Sequence, residues 1–296
     1  MSAKFRLEWA RKHGERKAKE LKFNNFPICP FEIAEKEEIT VEPKPADSKG
    51  VSGGIIFADS GVGIFYSTNI DNKGFQRFTV GHELGHYFLE GHPDEILKTA
   101  PLHVSRAGFT QGNSSIELEA DHFASGLLLP SKLVRETLSD NMIGLEGIEA
   151  LKEASLCSFT ASAIRAAECS PYPMAVIVSC GDRICYGFLS EGFRSLRPAT
   201  FPRKGDLLPD SATRSFNADR TNVEYARRAS GETSLADWFD RPGGVPLDEE
   251  VVGLGAYGYT LTVLSSEDLP DDPDEDEEDE EALLIESYTP KFAKGR

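Results

Sequence analysis

The 296-residue sequence has no apolar run approaching the roughly 20 residues needed to cross a bilayer, so no membrane role is expected. Residues 1–22 are polar and rich in lysine and arginine, with no apolar signal-peptide core. That start predicts a cytoplasmic chain. No CxxC pair occurs among the five cysteines (Cys29, Cys157, Cys169, Cys180, Cys185), which argues against a thiolate zinc site. An odd number without an export signal reads as reduced thiols. Positive charge is not in excess overall either, and the net charge is −17. That balance argues against a general grip on nucleic acid, which needs clustered lysine and arginine, so no direct nucleic-acid partner is expected. The imbalance is local: residues 267–281 hold twelve acidic side chains and no basic one, leaving −5 for the rest. The tail over 266–296 therefore reads as a solvated, disordered segment. Internal repeats are absent too.

What is present fits a globular chain, with 40% hydrophobic and 9% aromatic residues. Residues 1–25 predict a charged, amphipathic surface helix using Phe5, Trp9 and Leu21. Phe26-Pro27-Ile28-Cys29-Pro30 breaks it and starts a short helical stretch. Strands are expected at 39–41, 51–58 and 62–68, the last two joined by an Asp59-Ser60-Gly61 turn. A helical pattern over 72–90 stops at Gly91 and Pro93, and another runs from Ser114-Ser115 to Pro130. A helical pair follows at 145–154 and 160–169, then a hairpin at 174–179 and 184–189. Residues 201–246 read as loop-rich, and 251–254 with 257–264 as a final strand pair. The expected organisation is α+β: N-terminal helix 1–25, core 26–140, C-terminal region 141–265 and tail 266–296.

The chemistry sits in the 72–90 helix. His82 and His86 are four apart, so both imidazoles project from one helix face and can chelate one tetrahedral zinc. Glu83 beside them is placed to take a proton from zinc-bound water and pass it to a leaving amine. Gly85 between the histidines lets another backbone come close. For the third ligand two residues compete. His92 follows His86 by six residues, the spacing in HExxHxxGxxH enzymes, but Leu89 stands where those have glycine. No Met-turn follows either, since only Met142 and Met174 remain after Met1. Glu117 lies on the next helix, one turn before Asp121. It would give zinc a carboxylate oxygen, while Asp121 would orient a ligand histidine through its other ring nitrogen. On this reading His92 is exposed at the helix end, and Glu119, pointing away from Glu117, is a surface charge. Tyr87, His103 and His122 are candidates by type alone for stabilising an oxyanion.

Arg77-Phe78-Thr79-Val80-Gly81-His82-Glu83-Leu84-Gly85-His86, with Glu117-Leu118-Glu119-Ala120-Asp121-His122-Phe123-Ala124 and Leu127-Leu128-Leu129-Pro130, resembles the ImmA/IrrE family of metallopeptidases. Val51-Ser52-Gly53-Gly54-Ile55 and the helical pair with Arg165 fit the same pattern. The resemblance implies a gluzincin-like α+β fold whose sheet edge holds an extended substrate. It implies His82, His86 and Glu117 as zinc ligands, one zinc per chain, and Glu83 as the catalytic residue. Known members of the family cut DNA-binding repressors. The expected function is thus a regulatory zinc endopeptidase acting on a protein partner such as a repressor. The alternative is a non-catalytic zinc-containing regulator, with 148–167 as a helix-turn-helix, or a toxin–antitoxin component. Against the helix-turn-helix, Lys152 and Arg165 are the only basic residues in that stretch.

Overall fold

The computed structural model of the chain describes residues 3–44, 50–69, 71–106, 115–239 and 244–266. The acidic tail, from residue 267 on, and Ser114 of the expected cap pair lie outside the described residues. The fold is α+β. Among the described residues no helix is long and apolar enough to cross a membrane. The described chain forms two compact units: residues 3–137 with 149–165, and residues 138–148 with 166–266.

The first unit opens with α1 (Ala3–Glu20) and α2 (Pro30–Lys36). Pro30 starts α2, where its missing N–H costs nothing and its fixed φ suits a helix. Strands β1 (Thr40–Lys44), β2 (Val51–Ala58) and β3 (Gly61–Ser67) follow. Ala58 pairs with Gly61, so the β2–β3 hairpin closes through Asp59-Ser60, where the turn was expected. Helix α3 (Lys73–Phe88) begins at Asn72, whose side chain accepts the Phe75 N–H at 3.0 Å and satisfies a donor the helix leaves unpaired. Then come two elements the sequence did not announce, α4 (His92–Leu97) and β4 (Leu102–Arg106), and after them α5 (Ser115–Leu128).

The four strands lie in the order β1-β3-β2-β4, with β1 parallel to β3 and the other pairs antiparallel. Among the described residues β4 is therefore an edge strand. Ile55 and Ile64 of the sheet, Val80 and Leu84 of α3, and Phe123 and Leu127 of α5 share one buried core. Each such side chain contributes about 1.5–3 kcal/mol through its burial. Ala10 and Ala18 of α1 join that core, while Phe5 is half exposed. Trp9, in the same helix, and Leu21, just beyond it, also pack against this core as expected, and Phe5 does not.

Helices α6 (Ser131–Ser139), α7 (Leu145–Ser155) and α8 (Phe159–Cys169) are each divided between the two units. Within the first unit, Arg165 is 1% exposed. It donates to the Leu129 carbonyl from Nε and Nη2, at 3.1 and 2.9 Å, and to Glu15 at 3.1 Å. One of the two basic residues of the 148–167 stretch is therefore committed to capping the end of α5 and cannot meet a phosphate.

The second unit carries β5 (Met174–Cys180), β6 (Arg183–Leu189), α9 (Glu191–Ser195), α10 (Ala212–Ala218), α11 (Arg220–Glu224), β7 (Arg228–Ser234), α12 (Leu235–Phe239), β8 (Pro246–Gly253) and β9 (Thr260–Ser265). Its sheet is antiparallel throughout, in the order β6-β5-β9-β8-β7. The stretch 201–246 is less loop-rich than expected, since it holds α10, α11, β7 and α12. β9 starts at Thr260 rather than 257 because Gly255–Tyr257 forms a 3-10 turn and Gly258 takes φ 71°.

Candidate metal centre

Helix α3 turns one face into the core and keeps His82, Glu83 and His86 there, at 7%, 0% and 0% exposure. Helix α5 lies against it at the level of Gly85, where an added Cβ would stand 3.0 Å from Ala120 Cα. That contact brings Glu117 to the two histidines. His82 Nε2 and His86 Nε2 are 3.1 Å apart, and Glu117 Oε1 and Oε2 lie 3.2 Å from His86 and 3.5 Å from His82. The ligand atoms of these three residues all fall within 4.8 Å of one another. A tetrahedral ion with bonds of about 2.0–2.1 Å needs donors about 3.3 Å apart, close to the spacing observed. The set also has the chemistry zinc takes, two imidazole nitrogens and one carboxylate. The residues fit a metal.

The other faces of the ligand groups are occupied. His82 Nδ1 lies 2.8 Å from Asp121 Oδ1. His86 Nδ1 lies 3.2 Å from His92 Nδ1. His103 comes from β4, with Nε2 2.9 Å from Glu117 Oε1 and its ring centroid 4.5 Å from that of His86. Of the three side chains considered for an oxyanion, His103 enters this cluster. Tyr87 packs edge-on against Phe88 in the core.

Electrostatics differ from group to group. Burial pushes the Glu83 carboxyl up to about 7, against the opposing pull of His82 and Ser105. Burial also holds His86 down, to about 3, so its imidazole is neutral and its lone pair available. For His82 burial acts in the same sense, but its bonds to Asp121 and Glu117 outweigh it and raise its pKa well above the usual imidazole value. Glu117 is the converse. Burial would raise it, yet His103, His82 and His86 hold it well below the ordinary carboxylate range.

Two expectations are corrected. His92 is not exposed at a helix end but 1% exposed. Gly91, at φ 87°, folds the chain back at the end of α3 and starts α4, which carries His92 against His86. Glu119 is not a surface charge but fully buried. It faces His92 Nε2 at 3.3 Å and receives Arg6 Nε and Nη2 at 2.8 and 2.6 Å. The sequence signals for this arrangement were faint: the six-residue spacing of His92, and Glu119 pointing opposite to Glu117 on α5. Nothing pointed to Arg6, 113 residues away from Glu119.

Residues 34–156 match the family model described as the IrrE N-terminal-like domain, Peptidase_M78. The match supports an ImmA/IrrE-type metallopeptidase domain over those residues. The match takes in α3, α4, β4 and α5, and so every residue of the cluster except Arg6. No curated protein matches the sequence. Among solved structures, one titled "Mycobacterium tuberculosis transcriptional regulator" aligns with a TM-score of 0.55 and 14% identity, over 87% of this chain and 76% of that one. At that identity the likeness is one of fold.

Proposed function

We propose that this chain is a zinc-dependent endopeptidase that cuts a protein partner, with His82, His86 and Glu117 as ligands of one zinc and Glu83 as general base. The observation that carries the reading is the convergence of three donors beside a fully buried carboxylate, Glu83. A zinc held by His82, His86 and Glu117 would supply Lewis acidity for a scissile carbonyl and for water. Glu83 is placed to accept a proton at its carboxyl and pass it to a leaving amine. Its pKa, raised to about 7 by burial, suits a carboxyl moving between charged and neutral forms. Asp121 holds His82 by its Nδ1–H, leaving Nε2 for the ion. His103 stands beside Glu117, where a ring N–H would face negative charge developing on a substrate oxygen.

The substrate is bound as an added strand. β4 is an edge strand among the described residues, and His103 and Ser105 alternate with Leu102 and Val104 along it. Leu102 and Val104 are 45% and 39% exposed, and Ile56, which pairs with Leu102, is 39% exposed. An extended peptide adding to this edge takes its backbone hydrogen bonds from β4 and passes the cluster through His103. The repressor as substrate class rests on the family resemblance stated at the outset, and the cytoplasm as its location on the polar N-terminal segment. The gluzincin-like reading of the core rests on the same donor set.

The test is Glu83→Gln, which keeps size and removes the base. Native mass spectrometry should find one zinc per chain in both proteins, and cleavage of a partner repressor should vanish in the variant. A variant that still cleaves overturns the mechanism. A wild-type protein that takes up no zinc overturns the metal assignment.

A further inference from the structure

His86 and His82 are oriented in different ways. The Nδ1 of His82 meets a carboxylate directly, Asp121 at 2.8 Å. The Nδ1 of His86 meets another imidazole, His92, at 3.2 Å. Behind it the sequence of contacts continues: His92 Nε2 to Glu119 Oε2 at 3.3 Å, and Glu119 to Arg6 through two hydrogen bonds at 2.6 and 2.8 Å. His86, His92 and Glu119 are at most 1% exposed, while the Arg6 side chain is 42% exposed.

Only one assignment of protons satisfies this chain. His86 must leave Nε2 bare to bind a cation, so its proton sits on Nδ1 and is donated to His92 Nδ1. His92, accepting there, carries its own proton on Nε2 and donates it to Glu119. Glu119 then accepts from His92 and from both Arg6 donors, and Arg6 compensates a carboxylate that would otherwise be buried alone. Each link determines the next. This arrangement also accounts for His92 standing outside the donor set of His82, His86 and Glu117: one of its ring nitrogens faces the back of His86 and the other faces Glu119.

We propose that Arg6, Glu119 and His92 form a positioning relay that locks His86 in its metal-binding tautomer and ring orientation, making the N-terminal helix a working part of the metal centre. The proposal rests on the metal reading above. None of the three is a catalytic residue, since each acts through His86.

The experiment measures zinc affinity by competition with a chromophoric chelator, and the visible absorption of the cobalt-substituted protein, for wild type, His92→Ala, Glu119→Gln, Arg6→Gln and the Arg6/Glu119 double variant. Loss of a partner behind a ligand histidine typically weakens metal binding about 10–100-fold, and that is the drop expected for His92→Ala and Glu119→Gln. The cobalt bands should shift, since the ligand field changes when the His86 ring is free to rotate. A purely structural role would lower stability and leave the bands of the folded fraction in place. Arg6→Gln, at the exposed end, keeps the core intact and should still weaken zinc severalfold. The double variant should lose no more than Glu119→Gln alone, as expected for links in one chain. Folded variants that hold zinc within twofold of wild type, with unshifted cobalt bands, overturn the relay. A wild-type protein that binds neither zinc nor cobalt instead overturns the metal reading, and the relay with it.

Discussion

Gly14 on α1 and Gly126 on α5 face each other's helices, and replacing Gly14 by alanine puts two effects of opposite sign in competition. Alanine is the better helix former by about 1 kcal/mol, so an isolated helix would gain. In this fold the added Cβ would lie 2.2 Å from the Phe123 carbonyl oxygen and 2.7 Å from the Leu127 nitrogen, where ordinary contact begins at 3.4 Å. Both obstacles are backbone atoms and cannot rotate aside, so the helices must separate by more than 1 Å. Overpacking of this kind costs about 1–3 kcal/mol. Separation also stretches the Arg6–Glu119 and Arg165–Glu15 pairs that bridge to α1. The steric effect wins, and the net loss should be about 2 kcal/mol. For a unit of this size that lowers Tm by about 4–8 °C. Gly126→Ala, whose Cβ would stand 2.1 Å from the Arg11 carbonyl oxygen, should behave alike. The double variant should cost less than the two single losses together, because the first substitution already opens the gap the second needs. Thermal melts followed by circular dichroism measure all three. If Gly14→Ala is as stable as wild type, or more so, helix propensity decides and the close-contact reading is refuted.

Other outcomes follow from the same geometry. Glu117→Ala should abolish zinc binding in native mass spectra, whereas His92→Ala should retain one weakly held zinc; equal retention by both would remove Glu117 from the ligand set. Arg165→Met should destabilise by about 1–3 kcal/mol in urea titrations, because it strands the buried Leu129 carbonyl, although Glu15 keeps its bonds from Ser131. A loss under about 1 kcal/mol would show that Arg165 is dispensable. His13, edge-on to Trp9 and Phe123, has its pKa lowered from 6.5, chiefly by burial and then by Arg16 and Lys17. The unfolded chain therefore takes up the proton first, and stability should fall as pH drops below about 6.5. His13→Phe should flatten that part of the pH–stability profile, and an unchanged slope would exclude His13 as a source.

The parts of the fold legible in the sequence are those where local chemistry and tertiary context agree. Asn72 ahead of an apolar-periodic run announced α3, and Asp59-Ser60-Gly61 announced the β2–β3 hairpin. The four-residue spacing of His82 and His86 requires only a helix, so it could be read without knowing anything else. Glu117 was legible because Asp121 repeats its position one turn later. What escaped lay in short or polar elements. β7 reads Arg-Ala-Ser-Gly-Glu-Thr-Ser and has almost no apolar alternation, because it is an edge strand paired on one side with β8. α10 and α11 were signalled only by their caps, Ser211 and Asp219, within a stretch lacking hydrophobic periodicity. At the site, His92 was placed in solvent because the left-handed turn at Gly91 redirects the chain, and spacing alone does not give that direction. Arg6 was invisible for a simpler reason: its significance exists only once α1 has docked on α5.

The contact between Gly85 and Ala120 bears on which ions the proposed site would accept. Two residues that lend no side-chain donor act as a mechanical stop between α3 and α5, and that stop limits how near Glu117 comes to His82 and His86. The gauge is ground into the backbone, so it does not yield when a side chain rotates. An ion wanting bonds of about 2.3–2.6 Å and six or more oxygens, as calcium does, would have to wedge two helices apart, whereas a small tetrahedral ion drops into a space already cut to its size. On the proposed metal reading, discrimination among ions would be machined by residues that never touch one.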